Sequence, residues 1–353
     1  MAQYLFTVCQ TGAESALKEE ITRAHPELKF SYSRPGFVTF VNKGEREWGP
    51  DFRLRSIFAR AYGLSERKSK SATIAEDLAA FVDAKGFRKQ PRLHVFERDL
   101  YFPGDEAKGF ELGAAARMLD ARLRSSGLFA DPATPLAHGD PVVDVCLVEF
   151  SGEKDEIWLG FHLHHTAHSG FPGGRPPLTL PPAAPSRAYL KFEEAALKSG
   201  AELKAGERAL EIGCTPGGTV YALLKRGLEV WGIDHNTPSP ELAREFKERF
   251  TFIQSPMEFV QPTDARAPRA LQWLLMDVNL SPDKTLPQVA HWVRHHKQSL
   301  KGAFLTLKLM HWDERREIPR WLEKIETMGL HPVVITQLAY NRQEFLVSAR
   351  PKK

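Results

Sequence analysis

Gly213, Gly217 and Gly218 follow the short apolar run Ala209-Leu210-Glu211-Ile212 and precede Val220-Tyr221. A strand that runs through a glycine loop into a helix lets bare backbone pass close beneath a ligand, because glycine has no side chain in the way. The loop lacks a Gly-Lys-Ser/Thr closure and a G-x-G-x-x-G pattern, so it suits neither a nucleoside triphosphate nor a dinucleotide pyrophosphate. Asp234 ends the next apolar run, where a carboxylate can accept both hydroxyls of an adenosine ribose. Glu211 on the first run, together with Pro216-Gly217-Gly218, favours a ligand with adenosine and an amino-acid tail but no pyrophosphate. That ligand is S-adenosylmethionine.

Four more ionisable residues stand where apolar runs end. Gln272–Met276 delivers Asp277, and Ala303–Leu307 delivers Lys308. The last run, Glu344–Ser348, is expected to pair antiparallel with Ala303–Leu307, which returns Glu344 to the same rim. Lys191 lies in Ser186–Glu194, read as a helix laid across that rim. Singly, these residues are a helix cap, a snorkelling lysine or a surface pair. Four converging on one edge of a cofactor pocket is how proteins tune groups for proton transfer.

These residues need a sheet to hold them. Downstream of residue 185, strands alternate with helices and several strands are wholly apolar, which predicts an α/β fold with a doubly wound sheet covered on both faces. Upstream, Tyr4–Val8, Gly12–Ala24 and Gly36–Val41 read as strand, helix, strand. Arg92–Glu97, Leu112–Leu123, Val142–Phe150 and Glu156–Leu163 read as a second α+β unit. Between the halves, Gly170–Pro185 holds six prolines and three glycines and reads as an extended linker. The expected division is 1–68, 69–169, linker 170–185, and 186–353.

The 353 residues are 42% hydrophobic and 26% charged, an ordinary globular balance, and no run approaches the ~20 apolar residues of a membrane span. The start, Met1–Val8, has no basic region and reads as a strand rather than a signal. Cys9, Cys146 and Cys214 are too few and too scattered for a disulfide framework or a zinc cluster, and a cytoplasmic protein is expected. Arg53, Arg55, Arg60, Arg67, Lys68 and Lys70, followed by Lys85, Arg88, Lys89 and Arg92, suit a phosphate backbone. Phe161-His162-Leu163-His164-His165-Thr166-Ala167-His168 alternates like the outward face of a strand. It has no nearby cysteine or acid to complete a metal site, so no metal is expected and an RNA-facing role is preferred.

The second half resembles the 2'-O-ribose RNA methyltransferases with a Lys-Asp-Lys-Glu tetrad, most closely the bacterial large-subunit ribosomal RNA methyltransferase M family. The resemblance rests on Ala184-Pro185-Ser186-Arg187, Leu190-Lys191-Phe192-Glu193-Glu194, Gly213-Cys214-Thr215-Pro216-Gly217-Gly218, Asp277, Leu307-Lys308-Leu309 and Asn341-Arg342-Gln343-Glu344. It implies a Rossmann-like methyltransferase sheet with its last strand antiparallel, preceded by ferredoxin-like and THUMP-like RNA-binding parts. By the same resemblance, Lys191, Asp277, Lys308 and Glu344 form the catalytic tetrad. Ser186, Gly213, Thr215, Pro216, Gly217, Gly218, Asp234 and Asp277 would line the cofactor pocket. The implied substrate is a cytidine of 23S ribosomal RNA or a large-subunit precursor, not DNA or a membrane, handled by a monomer or weak dimer. Thr215 and Thr219 depart from the family's usual cysteine and tryptophan. Gln254-Ser255-Pro256 replaces the usual acid near the adenine and leaves Gln254 as the candidate contact. The alternative is a non-catalytic or tRNA-directed RNA-binding protein that retains the cofactor pocket.

Overall fold

A computed structural model of the chain describes residues 2–99, 112–150, 155–165 and 168–352. Met1 of the N-terminal run and Thr166 and Ala167 of the histidine-rich run lie outside the described residues. The chain folds as two compact units, Met1–Pro177 and Leu178–Lys353.

The first unit holds β1 (Tyr4–Val8), β2 (Leu28–Arg34), β3 (Phe37–Asn42), β4 (Ala61–Ser69), β5 (Arg92–Glu97), β6 (Pro141–Glu149) and β7 (Glu156–Leu163). Helices α1 (Glu14–Ala24), α2 (Ile74–Lys85) and α3 (Ala114–Arg124) accompany them. The described strands form one sheet in the order β2-β3-β1-β4-β7-β6-β5, antiparallel except for the parallel pair β5 and β6. Phe6, Phe37, Phe96 and Trp158 are buried in one cluster of its core. The expected division at residue 68 falls inside β4, which pairs with β1 on one side and β7 on the other. One sheet therefore runs through both expected N-terminal parts.

Three elements here have too little periodicity to stand out in the sequence. β2 is exposed along most of its length, β4 passes from a buried run at Tyr62–Leu64 to an exposed run at Glu66–Lys68 without alternating, and α2 is a mixed run. Three further readings need correction. The histidines do not face outward: His162, His165 and His168 are buried. β7 lies between β4 and β6 and is buried on both faces, so alternation along it does not separate dry side chains from wet ones. The basic run is not uniformly a surface either. Arg60 is buried and pairs with Asp99 at 2.7 Å, while Arg92 is buried and donates to the Pro132 carbonyl at 2.8 Å. The proline-rich stretch also begins as packed structure: Pro172–Gly174 makes a 3-10 turn, and Arg175 lies 3.7 Å from Asp99.

The second unit holds β8 (Arg208–Ile212), β9 (Glu229–Asp234), β10 (Phe250–Gln254), β11 (Trp273–Met276), β12 (Gly302–Lys308), β13 (Leu330–Thr336) and β14 (Glu344–Pro351). Its helices are α4 (Ala188–Ser199), α5 (Gly218–Lys225), α6 (Pro240–Glu245), α7 (Pro282–His295) and α8 (Ile318–Thr327). The sheet runs β10-β9-β8-β11-β12-β14-β13, with β14 antiparallel to both neighbours and the other pairs parallel. This is the doubly wound Rossmann-like architecture, in which ligands bind beyond the carboxyl ends of the strands. Phe192, Val220, Leu223, Val230, Leu275 and Phe304 pack together in its core. The helix expected over Ser239–Arg249 is shorter, because the chain turns at Phe246 to enter β10.

Candidate active site

Register decides where the ionisable residues meet. In the antiparallel pair of β12 and β14, Lys308 stands directly opposite Glu344, so both side chains leave the same face. Asp277 follows β11, which is in parallel register with β12, and the Asp277 amide donates to the Ile212 carbonyl at 3.0 Å. Lys191 comes from α4. Its ammonium is 3.1 Å from Asp277 Oδ2 and 2.5 Å from Glu344 Oε1. Lys308 Nζ is 2.7 Å from Asp277 Oδ1 and also bonds Glu344 Oε2. Each lysine thus touches both carboxylates, and each carboxylate spans both lysines.

This quartet is largely withdrawn from water without being sealed. The side chains of Lys191, Asp277 and Lys308 remain 18%, 19% and 14% exposed, and that of Glu344 only 3%. Burial works against a charge on Lys191, but Asp277 and Glu344 outweigh it and hold the ammonium above its ordinary pKa. Burial likewise opposes ionisation of Glu344, yet Lys191 and Lys308 hold its carboxyl down at about 2. Two further residues fix the frame. Glu194, fully buried on α4, accepts from the Ala339 amide at 3.0 Å and the Tyr340 amide at 3.4 Å, which ties the helix to the segment before β14. In that segment Asn341 donates to Glu344 Oε1 at 3.0 Å, and its own Oδ1 accepts from the Leu338 amide at 2.7 Å. Both belong to runs quoted above for the resemblance. Their roles were invisible there because each acts on a backbone segment or a carboxylate distant in sequence.

The glycine loop lies beside the quartet at the end of β8. Gly213 has φ +83, and a Cβ there would lie 2.5 Å from the Asp277 carbonyl. A Cβ on Gly218 would lie 2.4 Å from Ser186 Oγ. What crowds these glycines is the protein itself, namely the segments that carry Asp277 and Ser186. Thr215 donates from its amide to Asp234 Oδ2 at 3.0 Å, and the Thr215–Pro216 peptide is cis. Gln254 pairs in register with Asp234 across β10 and β9, and its Nε2 donates to the His235 carbonyl at 3.4 Å. Ser186, Gly213, Thr215–Gly218, Asp234, Gln254 and Asp277 therefore all belong to the carboxyl-end rim of one sheet or to segments packed on it.

The donors and acceptors on this rim fit a nucleoside with an amino-acid tail. Asp234 presents a carboxylate at the end of the second strand, with lone pairs beyond those used by Thr215 and Asn236. Ser186 Oγ and Glu211 Oε2 are buried polar atoms with no partner among the described residues. Sequence over residues 184–312 matches the family described as FtsJ-like methyltransferase. This region is an FtsJ-like methyltransferase domain. The protein is an S-adenosylmethionine-dependent methyltransferase.

Similarity extends beyond the domain. The ribosomal RNA large subunit methyltransferase M of Tolumonas auensis is 28% identical over 369 residues, covering 98% of this chain and 95% of the relative. The protein of the same name from Halorhodospira halophila is 32% identical over 187 residues, 51% of each chain. A solved structure of Aeropyrum pernix fibrillarin with bound S-adenosyl-L-methionine is 18% identical, with a TM-score of 0.37 over 62% of this chain and 85% of that one.

Proposed function

We propose that the protein methylates the 2'-hydroxyl of a ribose, that of a cytidine, in 23S ribosomal RNA or a large-subunit precursor, with Lys308 as the general base. The observation that carries this reading is the charge-paired quartet at the cofactor rim, whose two lysines share both carboxylates. The relatives' names support the substrate. The exposed side chains of Arg53, Arg55, Arg67, Lys68, Lys70, Lys85, Arg88 and Lys89 support RNA binding by the first unit, read as ferredoxin-like over 1–68 and THUMP-like over 69–169. A cytoplasmic site of action follows from such a substrate.

S-adenosylmethionine supplies the electrophilic methyl group when bound. A ribose hydroxyl is a poor nucleophile until its proton is removed, and that proton needs an amine free to take it. Lys191 is held charged by Asp277 and Glu344 and serves as the standing cation. Lys308 is then the amine that exchanges a proton, at Nζ. Asp277 and Glu344 orient both amines, and Asn341 keeps Glu344 turned toward them. Most of the remaining rate enhancement is positioning.

Attack through a cysteine is not supported, because all three cysteines are buried and burial pushes the Cys214 thiol upward. The test is to incubate the protein with radiolabelled S-adenosylmethionine and ribosomal RNA from a strain lacking the gene, then map the label. Label on one ribose 2'-oxygen of large-subunit RNA is expected. Label on a base, or on no RNA, overturns the reading.

A further inference from the structure

Two exposed apolar side chains stand beside the quartet. Leu280 lies three residues past Asp277, in the loop that leaves β11, and Met310 lies two residues past Lys308, in the loop that leaves β12. One leucine or methionine in water needs no explanation. Here both loops that leave the strands delivering Asp277 and Lys308 present one, among the exposed polar neighbours Asn279, His311 and Arg342.

The backbone holds both in place. The Leu309 amide donates to the Gln343 carbonyl at 2.9 Å, and Gln343 Nε2 donates to the Leu309 carbonyl at 2.7 Å. The pairing of β12 with β14 thus continues one residue beyond Lys308 and Glu344. Met310 comes next, at the two-residue spacing from Lys308 that returns an extended chain to the same face. Its amide donates to Glu314 Oε2 at 2.7 Å. In the other loop the Leu280 amide donates to the Val278 carbonyl at 2.8 Å, a tight turn that keeps Leu280 close to Asp277 before Pro282 opens α7.

Sugar chemistry dictates what comes to this place. In a nucleotide the base hangs from the carbon next to the one that bears the 2'-hydroxyl. A hydroxyl held at Lys308 Nζ therefore brings its base within a side chain's reach of the quartet. A nucleotide seated this way is drawn out of its stack, and apolar side chains then replace the lost contacts on its faces. A thioether adds a polarisable contact to an aromatic ring.

We propose that Leu280 and Met310 grip the base of the nucleotide whose ribose is methylated, through its faces rather than its hydrogen-bonding edge. This role rests on the ribose-methylation reading above and adds to it the residues that seat the target.

The test uses the full-length protein, S-adenosylmethionine and large-subunit ribosomal RNA from a strain lacking the gene, with single-turnover methyl transfer followed as RNA concentration is varied. Leu280→Ala and Met310→Ala are each expected to lower the apparent second-order rate by about three- to tenfold, and the double variant by more. Cofactor affinity and melting temperature should stay close to wild type. Met310→Leu, which keeps the apolar bulk, should recover most of the rate, and Val333→Ala, at an exposed apolar residue of β13, should leave it unchanged. A second substrate separates contact with the base from a general effect on the loops: the same RNA, assembled by ligation with the mapped target nucleotide lacking its base. On it the wild-type protein should slow, and the two alanine variants should lose nothing further. Wild-type rates in the double variant overturn the proposal, as does a loss of equal size with and without the target base, or a loss accounted for by weaker cofactor binding. Label on a base or on no RNA with the wild-type protein removes the ribose reading and this role with it, whereas ribose labelling that ignores both substitutions removes the role alone.

Discussion

Each unit buries a cluster of ionisable side chains, and the two behave oppositely. In the first unit, Asp144 Oδ2 is 2.7 Å from His162 Nδ1, and His94 Nδ1 is 3.7 Å from Asp144 Oδ1. His168 stacks on His162 with ring centroids 4.0 Å apart, and Tyr62 Oη lies 3.3 Å from His165 Nε2. Burial dominates this cluster: it pushes the Asp144 carboxyl up and the His94, His165 and His168 imidazoles down, His165 to about 4. In the second unit the opposite charges win over burial, so Lys191 and Glu344 stay ionised. The difference is location as much as residue type. The histidines arise from strands buried on both faces and from the segment just after them, whereas the quartet sits where strands end and a ligand can reach.

The largest effect that would test this contrast is removal of a charge from the quartet. Glu344→Ala removes one of the two carboxylates that Lys191 and Lys308 share, and breaking such a buried pair costs about 3–5 kcal/mol. Loss of methylation and a lower melting temperature are expected. Glu344→Gln, which keeps the shape, should lose methylation with a smaller drop in melting temperature. Equal melting of wild type and Glu344→Ala would show that the quartet is not a coupled network.

Acid should act next, and on the first unit. His165, His94 and His168 have folded pKa values below their unfolded ones, so their neutral burial stabilises fully above about pH 6.5. That contribution is lost as pH falls from there toward 4, at up to about 1.4 kcal/mol per pH unit for each group. Thermal unfolding at pH 7.5 and pH 5 is expected to show the loss, and His165→Gln should flatten it. An acid dependence unchanged in His165→Gln would remove that residue from the account.

Glu211 bears the reverse sign. Its folded pKa lies above the unfolded value, so its contribution is complete below about 4.5 and is lost as pH rises toward 8. Glu211→Gln should therefore raise the melting temperature at pH 9 relative to wild type and leave it little changed at pH 4.5. A gain of equal size at both pH values would contradict this. Asn341→Ala should be the mildest change. It frees Glu344 Oε1 from one donor, with an expected loss of about tenfold in kcat, little change in cofactor affinity and partial rescue by Asn341→Gln. Unaltered kcat would reduce Asn341 to a loop residue.

The second unit was far more legible in sequence than the first, for physical reasons. Its parallel strands are short apolar runs that end in polar residues, so β11 and β12 point to Asp277 and Lys308, and an antiparallel β14 returns Glu344 beside Lys308. The first unit mixes signals. β4 carries Arg67 and Lys68 on an exposed half, and β7 buries residues of both parities, which hides its histidines behind an apparent alternation. Glu194 and Asn341 were legible as residue types but not as positioning groups, since their partners lie on other segments. Glu211 was read as a marker of the cofactor; its unpaired oxygen emerges only from packing.

The account depends most on Lys308 as the proton acceptor. Single-turnover methyl transfer to large-subunit ribosomal RNA by Lys308→Ala, with cofactor affinity measured in parallel, tests it directly. The expected result is cofactor binding within about twofold of wild type and a methyl-transfer rate lower by about 10²–10⁴-fold, the range for a lost general base. Wild-type transfer by a variant that binds cofactor normally would contradict it.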